Sequence, residues 1–298
     1  MCLDFHSAHT SLLAVGCHDG TVMVFDVRNK ANRPIYSSSI KTGKHTDPVW
    51  QVYWQNDDQP KELNFFSISS DGRVASWIMS KNELKMEPVM QLKLVNTIKA
   101  ILSPTIQDDP EETSLSGLAG GCCFDFNRHS EHLFIVGTEE GKIHKCSKAY
   151  SGQYLETYEG HNMAVYTVKW NPFHPRVFIS CSADWTVKLW DHTVPYPIMS
   201  FDLGNAVGDV YWSPYSSTVF AAVTSDGKVH VFDLAENKAR AKGLESLNMV
   251  VFLPTITDTL LDWCTQDPII IVGDDRGGVN SLKLSPNLRK VCTGRLLY

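Results

Sequence analysis

The sequence predicts an all-β fold built from about six four-stranded units, and three observations carry that expectation. A short frame recurs, in which a small-residue strand, an acidic turn and an alternating apolar strand follow one another, with turns at Asp19, Asp71, Glu140, Asp184 and Asp226 and with Arg276 in a sixth copy. Successive turns lie 52, 69, 44, 42 and 50 residues apart, and the shorter spacings match the period of a propeller blade. Helical periodicity is almost absent. A lone four-stranded sheet would expose its faces, whereas radial packing of blades buries them, so a β-propeller is the economical arrangement.

Each unit can be justified strand by strand. An inner apolar strand leads: Met1 to Phe5, Val49 to Trp54, Cys122 to Phe126, Val165 to Trp170, Val207 to Trp212 and Asn248 to Leu253. The second strand, such as Val177 to Cys181, is continuously apolar and so buried on both faces. An Asp-Gly pair allows a tight two-residue turn, and the third strand then alternates, as in Val187-Lys-Leu-Trp190. A more polar outer strand closes the unit, for example Val89 to Val95, Gln153 to Tyr158 or Pro197 to Asp202. The blades are expected at approximately 1–45, 46–100, 121–160, 161–203, 204–245 and 246–298, within a single domain spanning 1–298. Between the second and third lies 103–120, rich in Pro, Asp, Glu, Ser and Gly, which reads as a surface loop. Pro254 to Asp267 reads as extra sequence between two strands of the sixth blade.

Composition bounds the function. With 298 residues, 43% of them hydrophobic, the chain can build a sizeable core. Its net charge is -6 and it has no dense basic run, so protein partners are expected, with no nucleic acid and no membrane. The start, Met1-Cys-Leu-Asp4, lacks the basic and apolar regions of a signal peptide, and apolar runs such as Pro268 to Val272 are strand-length, so a soluble, non-secreted protein is expected. Eight cysteines without a C-x-x-C pair or an N-x-Ser/Thr sequon fit a reducing compartment better than a disulfide framework.

The fourth copy is the clearest. Its Gly160-His161 pair, Asp184 turn and Trp190-Asp191 ending resemble a WD40 repeat. That resemblance implies a hydrogen-bonded relay of His161, Ser180, Asp184 and Trp190, and a second of His45, Ser67, Asp71 and Trp77. The other copies carry Phe25, Cys146, Phe232 and Leu282 at the Trp position and are expected to rely on packing. Longer segments are more specific: Phe134-Ile-Val-Gly-Thr-Glu-Glu-Gly-Lys-Ile, Ser182-Ala-Asp-Trp-Thr-Val-Lys-Leu-Trp-Asp-His192, Ala206-Val-Gly-Asp-Val, Trp212-Ser-Pro-Tyr-Ser-Ser-Thr-Val-Phe-Ala-Ala-Val and Ile269-Ile-Ile-Val-Gly-Asp-Asp-Arg-Gly resemble an axonemal outer-arm dynein intermediate chain. The resemblance implies a non-catalytic scaffold that docks on the dynein heavy-chain tail and supports motor assembly for ciliary or flagellar motility. Its implied partners are the heavy chain, a second intermediate chain and light chains; its implied location is the cytoplasm and cytoskeleton, in the axoneme of a cilium or flagellum. The family has about seven blades, one more than is recognisable, so an incomplete ring is expected. It also has a long N-terminal region that this sequence lacks, as a fragment or variant would, and the ending Val291-Cys-Thr-Gly-Arg-Leu-Leu-Tyr298 departs from the charged tail expected. A competing resemblance is Phe25-Asp-Val-Arg28 to the W-D-x-R motif of substrate receptors of cullin-type ubiquitin ligases, with Phe in place of Trp.

Catalytic motifs are missing, and no enzyme activity, cofactor or metal is expected. Gly137-Thr-Glu-Glu-Gly-Lys142 has only three residues between its glycines and ends in Ile143 where a phosphate-binding loop needs Ser or Thr for magnesium. His129 and His132 lie near Cys122 and Cys123, but adjacent cysteines on a strand point to opposite faces. His161, Asp184 and Ser180 could pass for a catalytic triad. The same residue types recur at His45, Asp71 and Ser67, however, which fits a repeated structural relay and not two catalytic sites.

Two features point to partners. Trp185 sits where every other acidic turn has Gly, and so either packs onto the neighbouring blade or contacts a partner. Charge is also unevenly placed. The face holding the second-to-third-strand turns collects Asp19, Asp71, Glu139, Glu140, Asp184, Asp226, Asp274 and Asp275, while Arg28, Lys30, Arg33, Lys81, Lys238 and Arg240 fall on the opposite face. Those six bases are candidate contacts for an acidic partner, through steering more than raw affinity.

Overall fold

Period-two alternation places the strands, and the computed structural model shows them at residues 1–30, 33–55, 63–80, 83–94, 117–237, 249–252, 260–265 and 267–284, the residues it describes. The chain divides into two compact units, Met1–Cys123 with Lys148–Gln153, and Phe124–Ser147 with Tyr154–Tyr298.

The first unit holds two four-stranded antiparallel sheets, each in chain order. One comprises β1 (Cys2–Phe5), β2 (Leu12–Gly16), β3 (Val22–Asp26) and β4 (Tyr36–Ser37). The other comprises β5 (Val49–Trp54), β6 (Asn64–Ser69), β7 (Arg73–Met79) and β8 (Leu84–Gln91). Their facing side chains, Leu12, Ala14, Val22 and Val24 against Val49, Val52, Trp54, Phe65 and Trp77, form one buried cluster.

The second unit holds the remaining sheets, and the boundary between units falls inside β9. The third sheet contains β9 (Gly121–Phe126), β10 (Leu133–Thr138), β11 (Lys142–Ser147) and β12 (Glu156–Glu159). The fourth contains β13 (Val165–Trp170), β14 (Val177–Ser182), β15 (Thr186–Asp191) and β16 (Met199–Asp202). The fifth contains β17 (Val207–Trp212), β18 (Val219–Thr224), β19 (Lys228–Asp233), a single helical turn α1 (Leu234–Asn237) and β20 (Met249–Phe252). The sixth shows three strands among the described residues: β21 (Leu260–Trp263), β22 (Ile269–Gly273) and β23 (Val279–Lys283). Six such sheets in succession are the β-propeller arrangement that the repeat predicts.

Burial follows from pattern. All six residues of β18 are buried, as a strand apolar on both faces requires. Ile179, Cys181 and Val187 of the fourth blade pack on Val207, Val210 and Trp212 of the fifth. Val219, Ala221 and Val231 of the fifth pack on Leu261, Trp263, Ile270 and Val272 of the sixth. Each large apolar side chain buried this way contributes roughly 1.5 to 3 kcal/mol.

The run Asn248 to Leu253 reads as the inner strand of the sixth blade, but Met249–Phe252 pairs with β19 and closes the fifth. The sixth blade's inner strand is Leu260–Trp263, inside the stretch read as an insertion, and it pairs with β22. Apolarity alone does not separate an outer from an inner strand. The better signal is the terminal Trp, which Trp263 shares with Trp54, Trp170 and Trp212. Lys81, Lys238, Arg240 and residues 103–116 lie outside the described residues. Among the described residues, no helix is long and apolar enough to cross a membrane.

Candidate functional site

Two blades carry the same buried hydrogen-bond chain. In the second, Trp77 Nε1 donates to Ser67 Oγ at 2.7 Å, Ser67 Oγ meets His45 Nε2 at 2.7 Å, and His45 Nδ1 meets Asp71 at 2.9 Å. In the fourth, Trp190 Nε1 to Ser180 Oγ is 2.8 Å, Ser180 Oγ to His161 Nε2 is 2.7 Å, and His161 Nδ1 to Asp184 is 2.9 Å. One tautomer satisfies every group: Ser accepts from the indole and donates to Nε2, and Nδ1–H donates to the carboxylate. Burial pushes His161 below its ordinary value against the pull of Asp184, so the ring stays neutral. Burial works against the Asp184 and Asp71 carboxylates, yet the hydrogen bonds they accept from His161 and Thr186, and from His45 and Arg73, hold both well below the usual carboxylate range. The histidine side chains are fully enclosed, so neither can reach a substrate. Beneath the surface, the relay ties the turn to the sheet.

Positive φ at these turns explains their glycines. Gly141 has φ 83°, and an added Cβ would meet the backbone oxygens of His161 and Met163 at 2.6 and 2.9 Å. Trp185 adopts the same conformation, φ 73°, and is the one non-glycine residue with positive φ among the described residues. A bulky aromatic there is strained. Its side chain is 52% exposed, so it projects from the turn. Met163, 54% exposed, and Tyr166, 45% exposed, open at the same end of the fourth blade. Tyr166 is the extra residue of a β-bulge between Val165 and Thr167, the device that turns a side chain outward.

Structure revises the charge map. Asp71 and Asp184 are consumed in the relays, Asp19 pairs with Lys44 and Asp226 with Lys228, so each of these turns presents less unpaired acid than its composition suggests. Arg28 is folded onto Asp26, with Nε to Oδ1 at 3.0 Å and its second bond at 2.7 Å. Lys30 and Arg33 are exposed in the same stretch, after β3. The described residues therefore bring together only three of the six candidate bases, and one of these is internally paired.

A second recurring device escapes the sequence reading. Indole N–H groups of Trp54, Trp170, Trp212 and Trp263 donate to backbone oxygens of Asp4, Asp125, Lys169 and Tyr211 on the preceding inner strand, at 2.9 to 3.2 Å. Carboxylates reinforce the link. Asp4 and Asp125 accept the backbone N–H of Trp54 and Trp170, and Asp209 accepts Leu261 N and Thr167 Oγ1. Burial raises Asp125 and Asp209, opposed by the charge of Lys169 and by these hydrogen bonds. Four strand-ending tryptophans were the available signal, because a buried indole must place its N–H.

Three of the cysteines are held in their inert form. Burial pushes the Cys2 thiol up to about 12 and raises Cys146 and Cys181 as well, which keeps all three protonated. Among the described residues, no group of three or more His, Cys, Asp or Glu side chains is placed to hold a metal ion.

Comparison with known proteins adds a family context. Residues 1–26 and 152–191 match the family described as "WD domain, G-beta repeat". The chain is 56% identical over 98% of its length to "Dynein intermediate chain 2, ciliary" of Heliocidaris crassispina, covering 40% of that protein. It is 52% identical over 98% of its length to "Dynein axonemal intermediate chain 1" of Bos taurus, again covering 40%. To "Dynein, 78 kDa intermediate chain, flagellar outer arm" of Chlamydomonas reinhardtii it is 48% identical over 97% of its length, covering 41%. The chain thus spans about two fifths of the length of the curated relatives it matches.

Proposed function

From the premise that this chain is a close homologue of axonemal dynein intermediate chains, at 52 to 56% identity to two of them over 98% of its length, we propose that it is a WD-repeat subunit of an axonemal dynein. Its work there is non-catalytic: it docks on the heavy-chain tail beside a second intermediate chain and supports motor assembly in a cilium or flagellum. Light chains are further partners in this reading, and ATP hydrolysis belongs to the heavy chain. The observation that carries the proposal is the identity, which extends across all six blades and well beyond the two stretches that match the repeat family. Relays and interblade links engage the buried histidines His45 and His161 and the strand-ending indoles, and the chain offers exposed turns for contact.

Affinity purification of the tagged chain from ciliated cells tests this. Recovery of an axonemal heavy chain and a second intermediate chain is expected. Recovery of a cullin adaptor without dynein subunits would overturn it.

A further inference from the structure

We propose that Trp185, with Met163 and Tyr166, is the anchor of a docking surface on the turn face of the fourth blade, and that its occupant is a protein segment presenting an apolar side chain flanked by Lys or Arg. The inference rests on the dynein-subunit reading and adds to it the residues and the face through which the heavy chain is held.

Strain is the first argument. Five turns of this frame place Gly at the left-handed position, at Gly20, Gly72, Gly141, Gly227 and Gly277, and only the fourth copy places an indole there. Such a conformation persists only when its surroundings over-determine it. Here they do. Asp184 N donates to Ser182 Oγ, the Asp184 carboxylate accepts Thr186 N, Thr186 Oγ1 and Asn162 N besides His161, and Trp185 O accepts Leu203 N. The turn is clamped while the indole is left half in solvent, so the strain gains the isolated chain nothing that a glycine would not supply.

Geometry is the second. Val165 pairs with Ser182, Ser182 Oγ donates to Met163 O at 3.0 Å, and Ala183 N donates to Ala164 O at 3.1 Å, so the loop bearing Met163 and the turn bearing Trp185 are bonded together. A polarizable thioether, a phenol aimed outward by a bulge and an indole are residue types enriched at interface cores.

Charge commits the occupant. Glu139 and Glu140 are exposed on the turn whose Gly141 lies against Met163 O, and exposed Asp202 pairs in register with Thr186, next to Trp185. An apolar centre with an acidic rim fits a basic-flanked apolar segment.

The test uses the full tagged chain in ciliated cells and measures heavy chain recovered per bait at low and high salt, alongside melting of each purified variant. Trp185→Gly is expected to lower recovery at least about tenfold, the loss typical of an interface hot spot. Glu139→Lys with Glu140→Lys is expected to lower it and to flatten its salt dependence, while Arg33→Glu leaves it unchanged. Melting of Trp185→Gly should stay within about 3 °C of wild type, because release of strain offsets the indole's own contacts. Wild-type recovery from Trp185→Gly overturns the inference, as does a larger fall in its melting temperature, which would make the indole a packing element. Loss of recovery in Arg33→Glu alone overturns it by moving the contact away from the fourth blade. If the wild-type chain recovers no heavy chain, the subunit reading itself fails and takes the inference with it.

Discussion

Replacing Ser180 by Ala tests whether the buried relay holds the fourth blade together. Ser180 and Trp190 are fully buried and His161 nearly so. The hydroxyl serves two partners, accepting from Trp190 Nε1 at 2.8 Å and meeting His161 Nε2 at 2.7 Å. Its loss removes one oxygen and leaves almost no void, so packing is not the main cost. The indole N–H and the imidazole lone pair are instead stranded, each costing about 1 to 3 kcal/mol, or about 2 to 6 kcal/mol together. At about 2 to 4 °C per kcal/mol for a chain of this class, the melting temperature should fall on the order of 10 °C. Calorimetry of the purified chain measures it. A second variant separates the stranded donor from a general defect. In the Ser180→Ala background, Trp190→Phe deletes an N–H that has already lost its acceptor, so it should cost at least about 1 kcal/mol less than in the wild type. A shift under about 2 °C for Ser180→Ala, or strictly additive costs in the double variant, would refute the reasoning.

The interblade link and the buried imidazoles give two more tests. Asp209→Ala strands Leu261 N and Thr167 Oγ1 at the junction of the fourth, fifth and sixth blades, and should cost about 2 to 4 kcal/mol, with Asp209→Asn recovering part of it; urea unfolding followed by tryptophan fluorescence reads both. On the acid side, burial lowers His161 and His230 below their ordinary value and takes His144 to about 4. The unfolded chain therefore binds these protons first as pH falls below about 6.5, and stability should decline from there towards pH 4. Both ring nitrogens of His230 lack a partner among the described residues, and the first copy has Met23 at that position of the frame. His230→Met should thus raise the melting temperature, by more at pH 5 than at pH 7.5, in a thermal-shift series across that range; an equal effect at both would count against the imidazole as the titrating group.

Much of the fold could be read from residues because the repeat writes its own constraints. At one position of the second strand, Ser stands where Trp follows ten residues later: Ser67 with Trp77 and Ser180 with Trp190. Where the indole is replaced the hydroxyl goes too, giving Val15 with Phe25, Val136 with Cys146, Ala222 with Phe232 and Val272 with Leu282. An N–H needs an acceptor and a phenyl ring does not. Phe220 and Phe232 stack at 4.7 Å in the fifth blade as Phe178 and Trp190 stack at 5.8 Å in the fourth, but the phenyl ring brings no N–H to satisfy. The inner strands at Val49–Trp54, Val165–Trp170 and Val207–Trp212 were legible to the residue for the same reason. What could not be read depends on distance in space. Arg28 belongs to a basic stretch by composition, but its nearest acid is two residues away and claims it. Asp71 and Asp184 sit in turns that face solvent, but their carboxylates turn inward to the histidines. Met249–Phe252 is as apolar as an inner strand, and only its pairing shows which sheet it joins.

A large residue at the fourth turn is possible because of what lies beyond it. Gly20 and Gly141 each face the backbone of the loop entering the next blade, and that backbone cannot give way to a side chain: a Cβ would clash with His45 O in one case and meet His161 O at 2.6 Å in the other. The loop after the fourth blade is built differently. It runs Leu203-Gly204-Asn205-Ala206, with Gly204 at φ 72° and open space around it, and it carries no histidine to be held against the turn. The loop thus leaves room on its outer side, and Leu203 N still reaches Trp185 O at 3.0 Å. In the fifth blade Asp226 lacks the histidine and holds Thr224 and Lys228 instead, a looser clamp for a turn that keeps its glycine. Full clamping and a retracted neighbour therefore coincide at one turn only, the one that carries the indole. Where both conditions are met, a strained aromatic can be held still in solvent, and stillness before binding is what lowers the entropy lost when a partner closes over it.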